Sequence, residues 1–352
     1  MPVVPWCDSC RLVSRHALTH WPGLGAAFAL LLLLAPEAAL HTDESFYRYR
    51  AVFAAGRAMD KLTYVEANAP TLLIVGNSRV DNGFDPGAIA SRLGAENHGR
   101  IFNFGLPGSD TRTLFGLLMR LDRKALLGPS RIEVVVIGLD EGYLQPADAL
   151  GYEVFFADRA TMLEKGEYRD LARSLVRLWG FSDNLKELRE PAKLERFIQA
   201  SRGSVEPIGG GAAQFAGYRA GFGALQDAAQ IGMQEAGSRK PPDPVRIDYL
   251  NRSLDLLQAR GVHVAIVYPP LLNRDVLYLT TDDAAARPYV EVAQQLRARG
   301  IPLIGLEAGV RHNPAEFINA GHLNDRGAKR FSELLAVQLE ALWPDLRGNL
   351  SR

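Results

Sequence analysis

Residues 131–139 read RIEVVVIGL, a near-continuous β-branched run closed by a glycine and followed by Asp140-Glu141-Gly142. A strand with no polar alternation is buried on both faces, and parallel sheets under two helical layers supply such strands. The runs TLLIV (71–75), RIFNFG (100–105), VHVAIVYPP (262–270) and IPLIGL (301–306) repeat the theme. Helical spacing separates them: near 86–94, over 110–127 with Leu114, Leu117, Leu118 and Leu121, over 246–260, over 284–299, and over 325–342. This rhythm predicts an α/β domain of three layers, α/β/α, with a mainly parallel sheet, built from 71–150 and 246–342.

Residues 151–245 break the rhythm. They contain the amphipathic LARSLVRLWGFSDNLKELREPAKLERFIQ and the glycine-rich IGGGAAQFAGYRAGFG. No G-x-x-x-x-G-K-[ST] order occurs there and no strand leads into it, which argues against a phosphate cradle. The segment reads as a helical insertion, either a lid or a structural elaboration.

The N-terminus is organised differently. Residues 24–35, LGAAFALLLLLA, are apolar throughout, within a wider stretch at 21–40, and Arg11 and Arg15 precede them. By the positive-inside bias this predicts a cytoplasmic tail (1–20), a signal anchor (21–40) and an exported body. Pro36 and Glu37 fit a signal-peptidase site poorly, which favours an uncleaved anchor. Residues 43–70 read as a solvated helical linker. Cys7, Cys10, His16 and His20 form a C-x2-C-x5-H-x3-H string. Its central loop is much shorter than in zinc fingers, so the favoured reading is two reduced thiols in a tail and no metal site. Forty basic residues balance forty acidic ones, against the basic stripe that nucleic-acid binding requires.

In a parallel sheet, ligands bind beyond the carboxyl ends of the strands. There the sequence places Gly76-Asn77-Ser78-Arg79, then NFGLPGSD with Gly108, then GLDEGY with Asp140, and last FINAGHLNDRG with Asn319 and His322. These blocks, IVGNSR, FNFGLPGSD, VVVIGLDE and HLNDRGAKRF, resemble in content and order those of the SGNH (GDSL-type) hydrolase superfamily. The likeness is to its membrane-anchored bacterial branches linked to polysaccharide O-acylation, and it covers about half the chain.

The resemblance implies a Ser78 nucleophile and a His322 base, with His312 as the rival histidine. It implies an oxyanion hole from the Ser78 and Gly108 N–H groups, with Asn77, Arg79 and Asp140 around the substrate. Two positions depart from the family pattern. Asp140 stands where the family has asparagine, and Asn319 stands where it has aspartate. A carboxylate at 140 would repel an oxyanion, unless burial kept it protonated, and an asparagine at 319 orients the histidine without stabilising its charge. One arrangement would compensate, with Asp140 supporting His322 in place of Asn319. The implied activity is an esterase or O-acyltransferase acting on acetyl or similar groups of a cell-envelope glycan, needing no cofactor. The alternative is a catalytically silent accessory protein of polysaccharide assembly.

Overall fold

The computed structural model describes residues 9–49, 52–53, 56–94, 100–146, 151–203, 216–223, 228–233, 240–272, 286–305 and 313–346. His312, Cys7 and most of the glycine-rich run lie outside them, as do the side chains of Cys10, His16 and His20.

Five strands form one sheet: β1 (Leu72–Gly76), β2 (Ile101–Gly105), β3 (Val134–Gly138), β4 (His263–Tyr268) and β5 (Leu303–Gly305). The order is β2-β1-β3-β4-β5 and every pairing is parallel. A separate antiparallel pair, β6 (Phe317–Asn319) and β7 (His322–Leu323), makes a tight hairpin. The helices that matter here are α1 (Ser9–Leu40), α2 (Gly56–Asn68), α3 (Ser78–Gly83), α4 (Pro86–Leu93), α5 (Thr111–Arg123), α6 (Pro244–Ala259), α7 (Arg287–Ala298) and α8 (Asp325–Leu342).

The apolar strand runs are explained by two cores, one on each face. Leu73, Val75, Val135, Ile137, Val264 and Ile266 point into one core, with α2, α5, α6 and α7. Their sequence neighbours Leu72, Ile74, Val134, Val136, Ala265 and Val267 point into the other, with α3, α4 and α8. Alternate residues of a strand face opposite ways, so only a strand covered twice needs an apolar residue at every position.

Residues 43–70 differ from the solvated reading. Ala58, Met59, Leu62 and Val65 of α2 are buried in the first core, together with Lys61. The many charges of this stretch conceal a one-sided apolar face.

The insertion is a succession of short helices between Tyr152 and Arg202, fastened to the sheet domain by ion pairs. Arg246 of α6, only 4 % exposed, bonds both fully buried Asp110 (2.7 Å) and Glu167 of the insertion (2.7 Å). Arg112 of α5 reaches Glu167 and Asp170, and Tyr249 donates to Glu167 at 2.6 Å. Residues 216–222 lie beside β2 and α8. Ala216 O accepts from Asn103 N, Arg219 N donates to Asp81 O, and Tyr218 donates to Asp325 at 2.7 Å.

Over α1, residues 25–36 are exposed, including Phe28 and Leu30 through Leu34. Among the described residues no helix is long and apolar enough to cross a membrane.

Candidate active site

The strand order reverses between β1 and β3, which run side by side while their connections go to opposite flanks of the sheet. That reversal opens a crevice at their carboxyl ends, and Ser78 follows β1 there. Asn77 caps α3 by accepting Arg79 N–H at 2.9 Å through its side-chain oxygen. The turn puts Ser78 at the first helical position, half-buried at the carboxyl end of the sheet. From β2, Asn103 donates to Val80 O (2.8 Å) and Phe84 O (2.7 Å), clamping the helix that carries the serine. Gly105 lets α3 lie directly on β2, because a Cβ there would overlap the backbone of Asp81.

The histidine arrives from the other end of the chain. The β6–β7 hairpin pairs Asn319 with His322 across a two-residue turn. The Asn319 side-chain oxygen accepts Gly321 N–H at 2.9 Å and lies 3.0 Å from His322 Nδ1. The backbone donor identifies that atom as the amide oxygen, so His322 Nδ1 carries the proton and Nε2 is a bare acceptor. Nε2 lies 2.8 Å from Ser78 Oγ. Ser78, His322 and Asn319 therefore form a continuous hydrogen-bonded chain across 244 residues of sequence.

Gly108 sits in the exposed turn after β2 with φ +69°, a conformation that favours glycine. The turn is tied to the end of β1: Leu106 N and Ser109 Oγ both donate to Gly76 O. Among the described residues neither Ser78 N–H nor Gly108 N–H has an acceptor. Both remain able to meet an anionic oxygen.

Asp140 is fully buried and paired with Arg79, whose Nη1 is 2.8 Å from its Oδ2. Asn77 Nδ2 donates to the same oxygen (2.8 Å) and Tyr143 N–H to the other (2.8 Å). Arg79 also donates to Gly321 O at 3.1 Å and so joins the Asp140 turn to the histidine hairpin. This corrects the compensating arrangement: Asn319, not Asp140, is the partner of His322 Nδ1, and Asp140 faces a guanidinium. Arg79 offsets part of the repulsion expected of Asp140, although its Nη1 also lies 3.7 Å from fully buried Glu141 and so serves two carboxyl groups. Asn77 Nδ2 is committed to Asp140.

His322 is held neutral. Burial lowers its pKa from the usual value near 6.5 to about 4, with the positive charge of Arg79 next in effect. Asp140 opposes that shift, and Arg219 adds to it.

A second layer escaped the sequence reading. Asp81, three residues past Ser78 and fully buried, accepts from Lys61 (2.8 Å) and Arg57 (2.9 Å), both on α2. Lys61 also donates to Gly105 O at 2.6 Å. Burial brings the Lys61 pKa down to about 8 against the pull of Asp81. The only signal was an acidic residue three places after the serine, which has no meaning without the position of α2. Among the described residues no three His, Cys, Asp or Glu side chains gather as a metal-binding group. No protein-family model matches the chain, and no curated protein matches it.

Proposed function

We propose that this chain is an exported serine esterase or O-acyltransferase of the SGNH type, with a flavodoxin-like sheet order. It would act on O-acyl groups, acetyl foremost, of a cell-envelope carbohydrate. The observation that carries the reading is the 2.8 Å contact between Ser78 Oγ and an unprotonated His322 Nε2, with Asn319 fixing the ring. In this reading Ser78 Oγ attacks the ester carbonyl while His322 Nε2 takes its proton. The carbonyl oxygen becomes an oxyanion facing the N–H groups of Ser78 and Gly108. Collapse expels the sugar hydroxyl, which recovers the proton from His322 and leaves an acyl-Ser78. Water or a second sugar hydroxyl then attacks by the same route in reverse, so hydrolysis and transfer share one intermediate. No cofactor enters. The apolar surface of residues 25–36 supports anchoring through the 21–40 segment, with the body outside the inner membrane.

A second reading has its own observation. With a neutral Asn319 behind it and Arg79 nearby, His322 is a weak base whose cation is disfavoured. That favours a silent glycan-binding accessory of a polysaccharide-assembly complex. Labelling of the full-length protein with a fluorophosphonate separates the two. The esterase reading expects a label that Ser78→Ala and His322→Ala both remove. A folded wild type that takes no label leaves the binding reading.

A further inference from the structure

A cavity of about 560 Å³ lies away from Ser78, where the insertion meets α5 and the segment following α1. Its wall carries Arg120, Arg123, Lys124, Arg159 and Arg177. Two carboxylates, Asp43 and Asp158, share the lining. Asp43 is taken by Arg120 (2.7 Å), and Asp158 caps its own helix through Thr161. Arg120 and Lys124 also share Glu66 just outside. Arg123 is exposed and has no ion-pair partner among the described residues. The cations therefore outnumber the carboxylates, in an open cavity large enough for a phosphate and its substituents. The pKa of Arg177 is lowered, by burial first and then by the charge of Arg159.

The cavity also has a fixed position along α1. Arg177 Nη1 donates to Leu40 O at 2.7 Å, and Arg177 N and Leu178 N both donate to the Glu37 carboxylate. Leu40 ends α1 six residues after Leu34, the last of the exposed leucines. Six residues of helix rise about 9 Å, whereas a headgroup layer is about 6 Å deep. An apolar stretch seated in a bilayer would put Leu40 and the Arg177 guanidinium bonded to it just outside that layer, next to the lipid phosphates.

We propose that this cavity is an anion site for a phosphate or phosphodiester group, separate from the Ser78 site and independent of its chemistry. The group comes either from an anionic lipid headgroup or from free phosphate. The test uses the full-length chain in neutral detergent, titrated with phosphatidylglycerol, phosphatidylcholine and inorganic phosphate, with binding followed by native mass spectrometry. A lipid-held site retains phosphatidylglycerol over phosphatidylcholine, and inorganic phosphate does not displace it. A free-phosphate site binds inorganic phosphate, which displaces the lipid. In either case the double variant Arg123→Gln/Lys124→Gln, both side chains being exposed, loses about thirtyfold in affinity. That figure follows from about 1 kcal/mol for each basic group. Lys329→Gln, the loss of one charge on α8 across the sheet, changes nothing. Equal retention of both lipids with no phosphate binding overturns the proposal. So does a preference that survives the double variant.

Discussion

Replacing Asn319 by aspartate is the most informative single change. The Asn319 oxygen sits 3.0 Å from His322 Nδ1 and is held there by Gly321 N–H, so a carboxylate of the same shape fits without moving the hairpin. It would place a full negative charge about 4 Å from the imidazolium centre. At an effective dielectric of about 20 that interaction is about 4 kcal/mol, or about 3 pKa units. Exposure at the half-buried hairpin reduces it, so a rise of about 2 units is expected, from about 4 to about 6. The base becomes stronger, and the acid limb of kcat/KM moves up in pH by the same amount. The plateau should rise as well. An aspartate-to-asparagine change in a serine triad costs about four orders of magnitude, and Arg79 nearby keeps the reverse gain below that. Aryl-acetate hydrolysis is measured from pH 3 to 9 for wild type, Asn319→Asp and Ser78→Ala. A Ser78-dependent rate whose acid limb stays in place in Asn319→Asp would refute the assignment of Asn319 as the partner of His322. If wild type and Asn319→Asp both remain at the Ser78→Ala background while folded, the site is not catalytic.

Lys61→Met leaves Asp81 buried with Arg57 as its remaining cation and should cost about 3–5 kcal/mol, read by urea unfolding; a loss below 1 kcal/mol would mean water reaches Asp81. Arg246→Ala removes the guanidinium facing buried Asp110 and one of the three side chains that hold Glu167 of the insertion, leaving Arg112 and Tyr249. Limited proteolysis should then cut within 151–203 well before the sheet domain, and cleavage at the wild-type rate would contradict that fastening. Because the folded His322 pKa lies below its unfolded value, the unfolded chain binds the extra proton between about pH 6.5 and 4. The stability held by neutral His322 is complete above that window and is lost as pH falls through about 4. His322→Gln should flatten the pH dependence there, as monitored by unfolding midpoints.

Much of the fold was legible because burial on two faces writes itself into composition. Strands β1 and β3 are apolar at every position, β4 departs from this at its exposed first residue His263, and Gly261 and Gly300 mark helix ends before the next strand. The positions of Ser78 and His322 were legible too, since a polar residue immediately after such a strand, or before the last helix, has few other places to go. Pair identity was not. That Asp140 takes Arg79 and Asn77, while Asn319 takes His322, depends on distances between segments that are remote in sequence. The exchanged residue types could be noticed in the chain, but not their partners. Nor could the chain show that Lys61, one charge among many in a helix with a mixed surface, turns inward to Asp81. Periodicity records which face of an element is apolar. A buried charge obeys a different rule, that it must find an opposite charge or hydrogen bonds, and only the packed tertiary structure decides where that partner stands.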